Sequence, residues 1–122
     1  MSKASLTLKG SPRTTNTLYA TMCRGNFPSR YMTSEGKTLK EDYQWQAKAQ
    51  YRKKPMKGEL EVWTTLYLKT KRKADIDNFN KIYFDALSGI VWEDDSQIVE
   101  HHVSKRYDPK DPRIEVEVSV IE

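Results

Sequence analysis

Residues 58–87 read GELEVWTTLYLKTKRKADIDNFNKIYFDAL, and the spacing of apolar residues changes within this stretch. Positions 60, 62, 64, 66 and 68 alternate with a second set of side chains, which predicts a strand with one buried face. From about Asp77 to Ser88 the apolar residues recur three and four positions apart, which predicts a helix. A run of cations and two aspartates separate the patterns, so charged residues stand where strand becomes helix.

The segments before this junction predict one strand and one helix. SLTLKG at residues 5–10 alternates leucine with polar residues, which predicts a short first strand. Residues 34–52 carry an apolar stripe at every fourth position, which predicts a helix with Ser34 as its N-cap. Residues 11–33 are polar and patternless, and we expect an irregular basic loop there.

The segments after the junction predict two more strands. QIVEHHVSKRY at residues 97–107 and RIEVEVSVIE at residues 113–122 are separated by DPKDP, and we expect them to form a hairpin. The predicted order is β-α-β-α-β-β. It corresponds to one small α+β domain over residues 1–122, with a mixed sheet packed by two helices.

Charge is distributed unevenly along the chain. Residues 1–73 contain 16 Lys/Arg and 5 Asp/Glu, a balance of +11, whereas residues 74–122 contain 5 Lys/Arg and 12 Asp/Glu, a balance of −7. A basic half suits nucleic acid and clustered acids suit bound cations, although a solvated surface would show the same balance. The cations expected to contact DNA are Arg13, Arg24, Arg30, Lys71, Arg72 and Lys73.

The composition also predicts the compartment. No apolar run approaches the roughly 20 residues that cross a bilayer, and the first ten residues lack the apolar region of a secretory signal. The single cysteine, Cys23, excludes an internal disulfide. We therefore expect a cytoplasmic protein without a membrane partner.

Asp75 and Asp77 are the strongest candidates for chemistry. In extended backbone, residues i and i+2 point to the same side, so the two carboxylates would converge and repel unless a cation or proton lies between them. A returning helix could bring Asp94 or Asp95 beside them, forming a carboxylate cluster suited to one or two Mg²⁺ ions. Alternatively, Asp77 simply caps the helix that starts at Asn78.

Lys81 and two histidines are weaker candidates. Lys81 follows Asp77 by four residues, so it could contact a scissile phosphate or form a helical ion pair with Asp77. His101 and His102 are adjacent in a predicted strand, so their side chains should point to opposite faces. This arrangement disfavours a His/Cys zinc site and favours ordinary sheet residues.

The longer string DIDNFNKIYFDALSGIVWEDDSQIVE, residues 75–100, resembles the RusA family of Holliday junction resolvases. The shared pattern is D-x-D-N, a lysine four residues after the second aspartate, DAL, and then a tryptophan with DD-x-Q-[IV]. SPRTTNTLY at residues 11–19 is similar to the N-terminal loop of the family, and TSEGKTLKED at residues 33–42 is similar to its Ser-x-x-Gly helix start. The likeness spans nearly the whole chain.

The resemblance implies a homodimeric, Mg²⁺-dependent endonuclease that resolves four-way DNA junctions by paired cleavage in recombination and repair. Mn²⁺ is the alternative ion, no small-molecule cofactor is implied, and the protein would associate with the nucleoid of a bacterial or phage-infected cell. The acidic catalytic and metal-binding triad of the family corresponds to Asp75, Asp77 and Asp95, and its functional lysine to Lys81. Asp94 and Asn78 occupy motif positions without an assigned role.

Two departures and two other functions complete the sequence-based hypotheses. Some relatives have arginine where this chain has Ala74, and SPRTT stands where relatives show Pro-Pro-Ser. One alternative is a junction-binding protein with weak or no nuclease activity. Another is a small-molecule phosphohydrolase with Asp75 as nucleophile, which the basic segment and small size disfavour.

Overall fold

The computed structural model describes residues 3–25, 27–71 and 76–121. In chain order its elements are β1 (Lys3–Lys9), α1 (Thr15–Leu18), β2 (Tyr19–Arg24), β3 (Phe27–Met32), α2 (Ser34–Gln50), β4 (Leu60–Leu68), α3 (Asn80–Leu87), β5 (Ile98–Tyr107) and β6 (Arg113–Val120). Two 3₁₀ turns, Ile76–Phe79 and Asp95–Gln97, directly precede α3 and β5. The α+β class and the mixed sheet are confirmed.

The strand predicted at the junction occupies the interior of the main sheet. The strand order is β1-β6-β4-β5, and β4 pairs antiparallel with β6 and parallel with β5. Every second residue of β4, from Leu60 to Leu68, is buried, and the residues between are partly exposed. The alternation therefore identified both this strand and its buried face.

The predicted hairpin of the last two strands is wrong, because β4 lies between β5 and β6. The connection at residues 108–112 crosses the end of β4, where the Asp108 amide donates to the Leu68 carbonyl at 2.9 Å. The reason is burial. β4 has a fully apolar inner face apart from Thr64, whereas β5 contains no fully buried residue and so suits the sheet edge.

Helices α2 and α3 cover the buried face of the sheet. Tyr43 and Ala47 of α2 and Tyr83 of α3 are fully buried in one core with the inner side chains of β4. The amides of Gln46 and Gln50 each form a pair of hydrogen bonds with the backbone of β1, at 2.6–3.2 Å. These side chains satisfy the free edge of β1, which would otherwise expose unpaired backbone groups.

Residues 11–33, expected to be an irregular loop, contain α1 and the antiparallel hairpin of β2 and β3. Arg24 pairs with Phe27, and Gly25, which follows Arg24, adopts a φ of 61°. Gly-Asn is a recognised two-residue hairpin signal. The hairpin was missed because its strands lack apolar alternation and contain Pro28.

The helix α2 is joined closely to the base of this hairpin. Thr33, rather than the expected Ser34, is its N-cap, with its side chain accepting from the Gly36 amide at 3.1 Å. The Thr33 hydroxyl also donates to the Leu18 carbonyl at 3.0 Å. Along the described residues, none of the helices is long and apolar enough to span a membrane.

Candidate active site

Two of the predicted catalytic residues are described with their side chains, Lys81 on α3 and Asp95 at the 3₁₀ turn before β5. Asp75, Arg72 and Lys73 lie outside the described residues, as do the side chains of Asp77 and Arg24. The described part of the predicted site therefore consists of Asp95 and Lys81, with the backbone of the 3₁₀ turn that contains Asp77.

This 3₁₀ turn, Ile76–Phe79, is attached to the rest of the fold through its last two residues. The Thr15 hydroxyl of α1 donates to the Asn78 carbonyl at 2.7 Å, and Phe79 is fully buried. The helix expected to start at Asn78 begins as α3 at Asn80, after the turn. The backbone that carries Asp77 is thus anchored to the segment immediately before the basic hairpin.

The acidic pair at residues 94 and 95 has two different roles. Asp94 caps the 3₁₀ turn Asp95–Gln97, where its carboxylate accepts from the amide and the hydroxyl of Ser96. These hydrogen bonds hold the pKa of the Asp94 carboxyl below its usual range. Gln97 completes the cap by accepting from the Asp94 amide at 2.8 Å. Asp94 is therefore occupied in shaping the turn, whereas Asp95 is presented by it.

Asp95 is half-buried and accepts a hydrogen bond from a buried tryptophan. The Trp92 indole Nε1 donates to Asp95 Oδ1 at 2.8 Å, and Trp92 itself is fully buried. Burial raises the pKa of the Asp95 carboxyl, the hydrogen bond from Trp92 opposes this rise, and the negative charges of Asp85 and Asp94 add to it. A nearby cation would favour the charged form of a carboxylate in this position.

Lys81 lies within electrostatic range of Asp95 and is paired along its own helix. Its Nζ is 3.6 Å from Oδ2 of Asp85, four residues further on, and 5.0 Å from the centre of the Tyr19 ring. The Tyr19 hydroxyl donates to the same Asp85 oxygen. Arg30 of β3 lies over the Tyr19 ring as well, with its guanidinium carbon 5.6 Å from the ring centre. Lys81, Asp85, Tyr19 and Arg30 thus form one cluster beside Asp95.

Sequence reasoning missed Asp85 and Tyr19. The four-residue spacing from Lys81 to Asp85 was available as a helical pairing signal. Tyr19 offered no such signal, since it is 66 residues from Asp85 and reaches it only through the tertiary packing of the domain.

Two other cations of the predicted set, Arg13 and Lys71, contact different parts of the described structure. The Arg13 guanidinium donates to Glu35 Oε2 at 2.6 Å, at the first turn of α2. Lys71 Nζ lies 5.5 Å from the ring centre of Tyr107, beyond the end of β4. Of the described cations in the predicted set, Arg30 is the one beside Lys81.

A buried polar network supports α3 from beneath. The Tyr83 hydroxyl is hydrogen-bonded to Asn80 Oδ1 at 2.8 Å and to Thr64 Oγ1 at 3.1 Å, and lies 3.3 Å from His101 Nε2. Thr64 is on the inner face of β4, so the helix that carries Lys81 is tied to the centre of the sheet. His101 faces this network and is a sheet residue, as expected.

A separate set of metal-ligand types lies on the outer face of the sheet. Within the described residues, ligand atoms of Glu61, Glu100 and His102 lie within 4.8 Å of one another. His102 stacks on Trp63 at a centroid distance of 3.9 Å, and the Trp63 indole donates to Glu61. That hydrogen bond lowers the pKa of Glu61, whereas the contact with Glu61 raises the pKa of Glu100. This set lies on the face of the sheet opposite α3, whereas His101 faces Tyr83 of α3. The prediction that His101 and His102 point to opposite faces is therefore confirmed.

Comparisons with known proteins show what this chain is similar to. Residues 9–119 match the family model described as "Endodeoxyribonuclease RusA". A relative in Bacillus subtilis (strain 168), described as "Uncharacterized protein YqaN", is 45% identical over 49 residues. That alignment covers 40% of this chain and 34% of the relative, so it spans about a third of the relative's length.

Proposed function

Because the chain belongs to the RusA family of endodeoxyribonucleases, we propose that it is a Mg²⁺-dependent endonuclease that resolves four-way DNA junctions by paired cleavage. One observation supports this proposal above the others. A half-buried carboxylate, Asp95, is oriented by Trp92 and accompanied by a lysine within electrostatic range. Residues 1–122 would work as one nuclease domain.

In this proposal Asp75, Asp77 and Asp95 hold the ion, Mg²⁺ or alternatively Mn²⁺. The described part of the set suits it, because Asp95 is a hard oxygen donor whose neighbours Asp85 and Asp94 add negative charge. When bound, Mg²⁺ supplies an activated water and neutralises charge on the leaving oxygen of the phosphodiester. The Trp92 indole donates to Oδ1 of Asp95 and so restrains this carboxylate.

Lys81 would serve the phosphate rather than the ion. Its side chain is about half exposed, at 47%, so the ammonium can reach a DNA phosphate while the helix keeps its position. A cation at this position stabilises the negative charge that develops on the scissile phosphate. The same charge would offset the repulsion between the carboxylates and the incoming DNA.

The DNA would approach across the hairpin of β2 and β3. Arg30 is exposed on β3 and adjoins the Lys81 cluster, and Arg24 precedes the hairpin connection. Lys71, Arg72 and Lys73 would extend the contact along the phosphate backbone, and Arg13, which is paired with Glu35, would contribute less. Such contacts release counterions, so binding should weaken steeply with salt.

A two-fold homodimer would supply the two active sites that symmetric cleavage requires. We place the protein in the cytoplasm, acting on branched DNA at the nucleoid during recombination and repair. This assignment follows from the proposed substrate.

The test is cleavage of a labelled four-way junction with Mg²⁺, with Mn²⁺ and with EDTA, beside a linear duplex of the same sequence. We expect paired nicks in the junction, little cleavage of the duplex and none in EDTA. Asp95→Asn should lower the single-turnover rate by about 10²-fold or more, the size of losing one preorganised charge-stabilising group. Asp94→Asn is the matched control and should stay within about tenfold of wild type, since asparagine also caps helices.

Two outcomes would contradict the proposal. Equal cleavage by wild type and Asp95→Asn would remove Asp95 from the site. Tight junction binding with no cleavage under any divalent ion would instead favour the alternative function, a junction-binding protein with weak or no nuclease activity.

A further inference from the structure

We infer that Asp85 and Tyr19 are positioning residues that hold Lys81 in its working orientation, an inference that rests on the nuclease function proposed above. Two groups from distant parts of the chain, the Tyr19 hydroxyl and the Lys81 ammonium, meet at one carboxylate oxygen of Asp85. Oδ2 of Asp85 accepts from the Tyr19 hydroxyl and lies 3.6 Å from Lys81 Nζ. Asp85 is therefore hydrogen-bonded to Tyr19 of β2 and forms an ion pair with Lys81 on its own helix, α3.

The need for such a support follows from the chemistry of lysine. The side chain of Lys81 is long and about half exposed, so its ammonium would sample many positions if nothing restrained it. An ordinary exposed i,i+4 pair restrains lysine only weakly, because both partners move freely in water. Asp85 differs from such a partner, since its side chain is only 24% exposed and its oxygen is hydrogen-bonded to a buried tyrosine.

Tyr19 contributes a second restraint through its ring. Lys81 Nζ lies 5.0 Å from the ring centre, which is within the range of a cation–π contact. Arg30 approaches the same ring at 5.6 Å. The ring therefore links the catalytic lysine to a cation of the hairpin over which the DNA would pass.

The placement of Asp85 also argues against a purely incidental ion pair. A protein that binds a polyanion places a further carboxylate beside its binding surface only at an electrostatic cost. The hydrogen bond from Tyr19 and the charge of Lys81 compensate that cost locally. The carboxylate is thus directed to the lysine and shielded from the DNA.

The test uses single-turnover cleavage of a four-way junction by the full chain, with the maximal rate and the half-saturating protein concentration measured separately. Asp85→Asn should lower the maximal rate about 10- to 30-fold and change half-saturation less than threefold, because the lysine is misplaced and not lost. Asp85→Glu should recover part of the rate. Tyr19→Phe, which keeps the ring and removes the hydroxyl, should lower the rate about threefold to tenfold.

The decisive measurement is the double variant Lys81→Ala/Asp85→Asn. If Asp85 acts through Lys81, the second substitution should cost less than twofold once the lysine is absent. Full additivity of the two losses would overturn the inference, as would an unchanged rate in Asp85→Asn with Lys81→Ala strongly impaired. Thermal melting of each variant separates a loss of folding from a loss of rate. Absence of cleavage by wild type would instead contradict the nuclease proposal. In that case the affinity of wild type and variants for the junction could still be measured.

Discussion

Gln97 and Asp94 cap each other across the 3₁₀ turn that presents Asp95. Gln97 Oε1 accepts from the Asp94 amide at 2.8 Å, while the Asp94 carboxylate accepts from the Ser96 amide at 3.2 Å. Gln97 Nε2 also donates to the carbonyls of Met56 and Gly58, at 2.9 and 3.0 Å. One side chain thus fixes the turn to the segment before β4, which explains why a glutamine follows the acidic pair by two residues.

The first prediction concerns this glutamine. Gln97→Ala should lower junction cleavage about tenfold and the free energy of unfolding by about 1–2 kcal/mol, since several backbone groups lose their partner. Single-turnover cleavage and urea unfolding measure the two effects. Glu93→Gln is the control, because it changes only an exposed, 3.8 Å ion pair with Lys57. Equal behaviour of both variants would show that the cap does not position Asp95.

The second prediction separates two arginines of the basic segment. Arg30→Ala should weaken junction binding and reduce the slope of log affinity against log salt by about 1, the value for one lost phosphate contact. Arg13→Ala should change the slope much less, because Glu35 at 2.6 Å already neutralises that guanidinium. Fluorescence anisotropy over a salt series in EDTA measures both. A larger slope change for Arg13→Ala would place the DNA away from the hairpin.

The third prediction compares two buried tyrosines. Among the described residues, the Tyr43 hydroxyl is buried without a hydrogen-bond partner, whereas the Tyr83 hydroxyl is bonded to Asn80 and Thr64. Tyr43→Phe should therefore raise the free energy of unfolding by about 1 kcal/mol, and Tyr83→Phe should lower it by about as much. Chemical denaturation measures both changes. Destabilisation by Tyr43→Phe would show that its hydroxyl has a partner in solution.

The fourth prediction concerns the contact between α2 and the end of α1. A Cβ on Gly36 would overlap the Leu18 carbonyl oxygen and lie 2.7 Å from Met32 Cγ. Gly36→Ala should lower the free energy of unfolding by about 1–3 kcal/mol, the usual cost of overpacking. The exposed neighbour Lys37 provides the control, since Lys37→Ala adds no atom to this contact. A loss no larger than that of the control would mean that the two segments separate easily.

The fifth prediction concerns pH and the crossing of β4 at residues 108–112. The hydrogen bond from Arg113, at 2.9 Å, is the main cause that holds the pKa of the Asp108 carboxyl below its usual range. A depressed pKa stabilises the fold above the normal aspartate range, near pH 4, and this stabilisation is lost as the pH falls through the folded value.

Asp108→Asn should therefore melt at a lower temperature than wild type at pH 7, and the difference should shrink as the pH falls below about 4. Melting curves by circular dichroism at a series of pH values measure this. Glu117→Gln, an exposed carboxylate on β6, serves as the control. A difference between wild type and Asp108→Asn that does not vary with pH would assign the loss to something other than the charge.

Much of the secondary structure was predictable because it depends on local periodicity. The alternation in β4 and the four-residue spacing in α2 follow from which side chains the core buries, and both elements occur close to the expected residues. The hairpin of β2 and β3 escaped prediction because it is small, exposed and lacks that periodicity. Its Gly25-Asn26 pair was a local signal that turn chemistry could have used.

The site divides along the same line. The acidic motif, Lys81 and their spacing are readable along the chain, because residues three or four apart in a helix share a face whatever else surrounds them. The different uses of Asp94 and Asp95 depend on Gln97 reaching Met56, and the environment of Lys81 depends on Tyr19 reaching Asp85. The strand order also depends on distant contacts. β4 lies between β5 and β6 because its apolar face must be buried in the interior of the sheet, which no pattern within β5 or β6 reveals. Such contacts join residues far apart in the chain, and they are selected by the packing of the whole domain, to which no local pattern is sensitive.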